Sequence, residues 1–199
     1  VLDLIRDNWV MLLPILVLSI IGISLILERT FFYLYTNALS SKKFNIVKNL
    51  LRIGNLHQLR DTVKDQHSAI DSLILTFMSR QDSTSEVLVP ILEASAMEWK
   101  NKLSKNINIL LAISNISTLL GLLGTVTGMI LTFYNMKNTG ASDPSSLAGG
   151  ISQALITTAA GLLVAIPNLF AYYGFSETLD KRLDELDILI NELIAFRSN

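Results

Sequence analysis

The sequence predicts an all-α integral membrane protein with three transmembrane helices and long helical segments reaching into the cytoplasm. Three observations predict it. First, 50% of the 199 residues are hydrophobic and only 17% are charged, against about 25% charged in an ordinary soluble domain. Second, the charges are segregated: most lie between residues 28 and 105, while other stretches carry none. Third, three of the apolar stretches are as long as the roughly 20 residues a helix needs to cross a hydrocarbon core.

The first span covers residues 9–27, after an N-terminal stub of residues 1–8. Arg6 precedes it as in a secretory signal. The apolar run is too long for a signal core, however, and ends at Glu28 and Arg29 instead of a small-residue cleavage site. A retained helix is expected. Residues 28–106 form a polar segment with helical spacing at Phe44, Val47, Leu50 and Leu51, and again at Leu73, Ile74, Phe77 and Met78. Gly54–Asn55 and residues 81–84 mark breaks. From Ser85 a helical pattern is expected to lead through Trp99 into the second span, residues 107–136. The loop 137–146 contains Gly140, Asp143 and Pro144, which punctuate a turn. It makes spans two and three an antiparallel hairpin, with Ser145 or Ser146 as a helix cap. The third span covers 147–175. The tail 176–199 places Leu179, Leu183, Leu186, Ile190 and Leu193 on one face of an amphipathic continuation.

Lys and Arg distribution sets orientation. Eleven of the 16 basic residues lie between spans one and two, from Arg29 to Lys105, and three follow span three. The loop between spans two and three has Lys137 and the stub has Arg6. The N-terminus is therefore expected outside, and the middle segment and C-terminus in the cytoplasm.

Several function classes find no support. The net charge is -1, which gives no basic footprint for nucleic acid. The chain has no cysteine, so it has no thiolate chemistry. His57 and His67 lie ten apart, not at the i, i+4 spacing of a helical metal pair. There is no nucleophile–base pair and no phosphate loop in a suitable context, so no enzyme and no cofactor are expected.

Spans two and three carry polar stripes. At 100° per residue, Ser114, Thr118, Gly121, Thr125, Gly128 and Thr132 share one face of span two. Gly124 and Gly128 form a small-xxx-small pair that lets backbones approach. Helix packing and a wet cavity both account for the stripe. In span three, Gln153, Thr157, Ala160, Val164 and Pro167 share a face, Thr158 stands about 100° from Thr157, and Gly149, Gly150 and Gly161 permit close contact. Gln153 must be paired or wet at that depth, through an interhelical hydrogen bond or in ion passage. Pro167 lacks an N–H and is expected to bend the helix or free a carbonyl. No Asp, Glu, His, Lys or Arg lies inside spans two or three, so a charged group for ion passage would come from another chain. Glu28 and Arg29 read as a snorkelling pair at the membrane interface.

The run LLGLLGTVTGM at 119–129 resembles the second-span signature of the ExbB, TolQ and MotA family of inner-membrane ion-driven motors. ISQALITTAAGLLVAIP at 151–167 resembles the third-span signature, and Glu28-Arg29 followed by aromatics resembles the end of the first. The number of spans agrees with the ExbB/TolQ branch. The resemblance implies a homo-oligomeric ring, a pentamer around two copies of a single-span ExbD/TolR-type partner, whose intramembrane aspartate carries protons or sodium. Matching by position, Thr125 and Thr158 would line the ion path and Pro167 would be the third-span proline. The implied setting is a bacterial inner membrane and its lipids, and the implied output is work in the cell envelope. Two departures stand out. Gln153 replaces a glutamate, which removes a titrating group and motivates an alternative, a passive scaffold that binds the partner without conducting. Ser117-Thr118 replace Ala-Pro. With Thr157-Thr158 they enrich the path in oxygen ligands, which suit a hard cation and raise sodium coupling as a reading.

Overall fold

The computed structural model describes residues 9–36, 41–63, 68–80, 83–139 and 144–198. The stub 1–8, His67, the Gln81–Asp82 part of the second break and loop residues 140–143 lie outside them. The described residues form seven helices: α1 (Trp9–Tyr35), α2 (Lys42–Ile53), α3 (Leu56–Thr62), α4 (Ala69–Ser79), α5 (Ser85–Ser104), α6 (Ile107–Thr139) and α7 (Pro144–Ser198). Three stretches are long and apolar enough to cross a membrane, within Leu12–Tyr35, Ser85–Lys137 and Leu147–Arg197. The chain is thus a multi-pass membrane protein. It divides into two compact units, one built from the chain up to Leu27 with Asn106–Tyr173, the other from Glu28–Lys105 with Gly174–Asn199.

In the first unit, Ile15 of α1 clusters with Ile113 of α6 and Val164 of α7, with Leu18, Leu25, Leu120 and Ala160 around them. In the second, the apolar faces of α2 to α5 and of the end of α7 share one core. Val47, Leu59, Leu73, Ile74, Leu92, Leu189 and Leu193 are its fully covered members. The helical spacing read from Phe44 to Leu51, from Leu73 to Met78 and, in the C-terminal tail, from Leu186 to Ile194 points into this core. Gly54 ends α2 in the left-handed conformation, φ 77°, and its N–H with that of Asn55 satisfies the carbonyls of Leu51 and Leu50. Only glycine adopts that conformation without a Cβ penalty. Ser68 caps α4 through the N–H of Asp71. Buried Asp71 is neutralised by Lys43 Nζ at 2.6 Å, as a buried carboxylate requires.

The structure corrects two expectations. The helix from Ser85 does not run into the second span: α5 stops at Ser104, and Asn106 adopts φ 62°. Asparagine is among the few residues that tolerate the left-handed region, and one such residue breaks the ladder. At the hairpin, α7 begins at Pro144. Proline favours the first helical position because its missing N–H has no intrahelical acceptor there, so Ser145 and Ser146 fall inside the first turn instead of capping it. Helix α1 runs on from Leu27, the expected end of its span, to Tyr35. Helix α7 passes through Pro167 to Ser198 without interruption.

Candidate functional site

The glycines of the second and third apolar helices form the seam of the α6–α7 hairpin. A Cβ on Gly161 would stand 2.5 Å from Ser117 O and 3.0 Å from Gly121 Cα. One on Gly121 would stand 3.1 Å from Thr157 O and from Thr158 Cα. Farther along, Gly124 faces Thr157, Gly128 faces Ala154, and Gly150 faces Thr132. Close backbone approach of this kind is how helices associate where lipid offers no hydrophobic drive. Polar groups stitch the seam. Ser114 donates to Ala165 O at 2.9 Å, Thr158 to Gly121 O at 2.9 Å, and buried Thr157 to Ala154 O at 2.7 Å with a long contact of 3.4 Å to Gly121 O. Ser117 Oγ is buried with no partner.

The stripe read from the sequence therefore divides. Ser114, Ser117, Gly121, Gly124 and Gly128 point into the seam. Thr132 joins them opposite Gly150, whereas Thr118 and Thr125 stand to one side, about 60–80° round the helix. Thr118 is exposed and Thr125 half-buried, and their hydroxyls donate to Ser114 O and Leu122 O of their own helix. Half-buried Thr158 stands about 60° from the α7 seam face, on the side where Gly121 meets it. In an antiparallel pair the two helices turn toward the same edge, so Thr125 and Thr158 border one edge of the hairpin. Gln153, Ala160 and Pro167 turn toward the other edge. There α1 packs, through the cluster that holds Ala160 and Leu120. Gln153 is half-buried and Pro167 exposed.

On the α1 side sits a residue that sequence reading passed over. Asn168 is 2% exposed and donates to Val164 O, but its Oδ1 has no partner. It fills the space over Gly22, where any Cβ would collide with the amide. The rule that singled out Gln153, an amide within an apolar run, finds it.

The MotA/TolQ/ExbB proton channel family matches residues 60–188. The chain belongs to this family. The match includes nearly all of the hairpin and leaves α1 outside. An ExbB-like biopolymer transport protein of Synechocystis sp. is 30% identical over 198 residues, 96% of this chain and 77% of that protein. ExbB of Helicobacter pylori is 47% identical over 87 residues, 44% of this chain and 60% of that protein. An ExbB homologue of Methanothermobacter thermautotrophicus is 26% identical over 191 residues, 95% of this chain and 67% of that protein. Members of the MotA/TolQ/ExbB family are channel and transport components, not enzymes.

In the second unit of this ExbB-family chain, Arg29 does not reach outward. It is 2% exposed, pairs with the half-exposed Glu28, lies 4.8 Å over the Phe32 ring and donates to Lys102 O at 3.2 Å. One turn on, fully buried Tyr33 donates to Leu103 O at 3.1 Å. Both acceptors lie in the last turn of α5, where carbonyls lack intrahelical donors. Nothing in the sequence marks Tyr33 for this, because its partner stands 70 positions away. His57 lies in α3, exposed.

Proposed function

We propose that this chain is the ion-conducting subunit of an ExbB-type energy-transducing complex, and that ions pass along the hairpin edge bordered by Thr125 and Thr158. The observation that carries the reading is that two hydroxyl side chains share the edge not covered by α1, in apolar spans, residues 107–136 and 147–175, that contain no acid or base of their own. The titrating group then comes from a partner: an ExbD/TolR-type single-span protein with an intramembrane aspartate. The reading includes a ring, a homo-pentamer around two partner copies in a bacterial inner membrane, as the resemblance to the ExbB/TolQ branch implies. Residues 1–8 and 137–146 face the periplasm; 28–106 and 176–199 face the cytoplasm. Gradient-driven motion of the partner within the ring does work on the envelope.

The test is co-reconstitution with that partner in liposomes. Thr125→Ala and Thr158→Ala should each lower gradient-driven flux while native mass shows an unchanged assembly. Wild-type flux in the double variant refutes the path. Flux that disappears in sodium-free buffer assigns sodium; flux that persists assigns protons. Gln153 favours a second reading, a scaffold that binds the partner without conducting. An intact wild-type complex with no flux under either gradient establishes it.

A further inference from the structure

We propose that Asn115 carries the ion between the threonine edge and the N-terminal end of α6. This inference rests on the conducting reading above. Asn115 is an exposed amide inside a long apolar helix. It stands about 60° from Thr118 around α6, on the side away from the seam, and about 15 Å along the axis from Thr125. Asn108, also exposed, lies about 10 Å further toward the helix start. The polar positions Thr125, Thr118, Asn115 and Asn108 thus wind through about 100° of α6, from the edge of the seam to the side away from it, and reach the end next to Lys105. Leu111 and Leu122 interrupt the line.

An amide turned toward hydrocarbon costs several kcal/mol, so this side of α6 faces protein or water. Amides offer both an acceptor oxygen and two N–H donors. Asn115 can therefore hold a hydrated cation, or a water chain that passes protons, whichever ion is used. The neighbouring Ile116 and, about one turn on, Leu119 are exposed hydrocarbon and offer neither. The hydroxyls of Thr118 and Thr125 bond to carbonyls of their own helix, which leaves their lone pairs for an ion. Asn115 continues that set toward the cytoplasmic end.

The absence of cysteine gives a clean background for testing it in the full complex with its single-span partner. Asn115→Leu should lower flux about tenfold, a rise of about 1.4 kcal/mol in the barrier, with native mass unchanged. Asn115→Ser should retain most of the flux. Asn115→Cys should react with a charged, water-soluble thiol reagent, and Ile116→Cys, about 100° further round the helix, should not. Wild-type flux in Asn115→Leu, while Thr125→Ala loses flux, overturns this inference and leaves the conducting reading standing. If Asn115→Leu fails to assemble, Asn115→Ser and Asn115→Cys decide: an assembled, unlabelled Asn115→Cys complex makes Asn115 an interhelical bond and overturns the inference. Wild-type flux in the double variant Thr125→Ala, Thr158→Ala overturns both.

Discussion

Gly161 and Gly149 sit in the same helix and differ in what stands opposite them. Backbone faces the first, and nothing lies within 4 Å of the second. Gly161→Ala should therefore force the hairpin apart at a cost of about 1–3 kcal/mol, lowering the melting temperature in detergent. Gly149→Ala should be neutral or slightly stabilising, since alanine is the better helix former by up to about 1 kcal/mol. Equal melting of the two variants would contradict the seam. Thr157→Val keeps the shape and removes the buried hydroxyl, so it should cost about 1 kcal/mol by the same measurement. At this scale the sequence identified the glycines and hydroxyls by type and angle. It did not divide them between the seam and its edge. That division depends on which helix covers which side, and the periodicity of one helix carries no such information. Asn168 over Gly22 shows the same limit: the amide is visible in the sequence, but the glycine that accommodates it lies in another helix.

Among the elements, the α5–α6 junction is held from outside. Asn106 turns the chain, and Arg29 and Tyr33 supply donors to carbonyls that the turn leaves without helical partners. Tyr33→Phe keeps the ring and removes the donor, leaving a buried carbonyl unpaired at a cost of about 1–3 kcal/mol. Arg29→Lys is not conservative either, because a point charge replaces a flat ion stacked on Phe32. Asn106→Gly should be tolerated, whereas Asn106→Val should destabilise, since a β-branched residue resists positive φ. Thermal melts of the purified chain check all three; equal stability of Asn106→Gly and Asn106→Val would deny the turn its role. The junction was hidden in the sequence because the apolar pattern continues through it. By contrast, Gly54 signalled the end of α2, since a glycine following helical periodicity is a strong stop.

For the whole molecule, three apolar helices were legible because length and hydropathy alone decide whether a helix can span. The distribution of Lys and Arg adds an orientation that labelling can test. A single cysteine at Ser142 should react with an impermeant thiol reagent in intact spheroplasts, and one at Asp187 only after permeabilisation. The reverse pattern would invert the proposed topology. The second unit has a core of its own, so Leu189→Ala, at 0% exposure, should cost about 2–5 kcal/mol. Protease should then cleave the polar segment at lower temperature, while the seam glycines still protect the hairpin.

The donors at the junction also have an order in time. Arg29 precedes Lys102 by 73 residues and Tyr33 precedes Leu103 by 70, so both leave the ribosome well before their acceptors. When the second apolar helix enters the translocon, the end of the first has already been synthesised and can take up the exposed carbonyls as they emerge. A chain circularly permuted to make α1 last would present those carbonyls with no donor waiting, and its yield of inserted protein should fall even though every contact of the finished fold remains available.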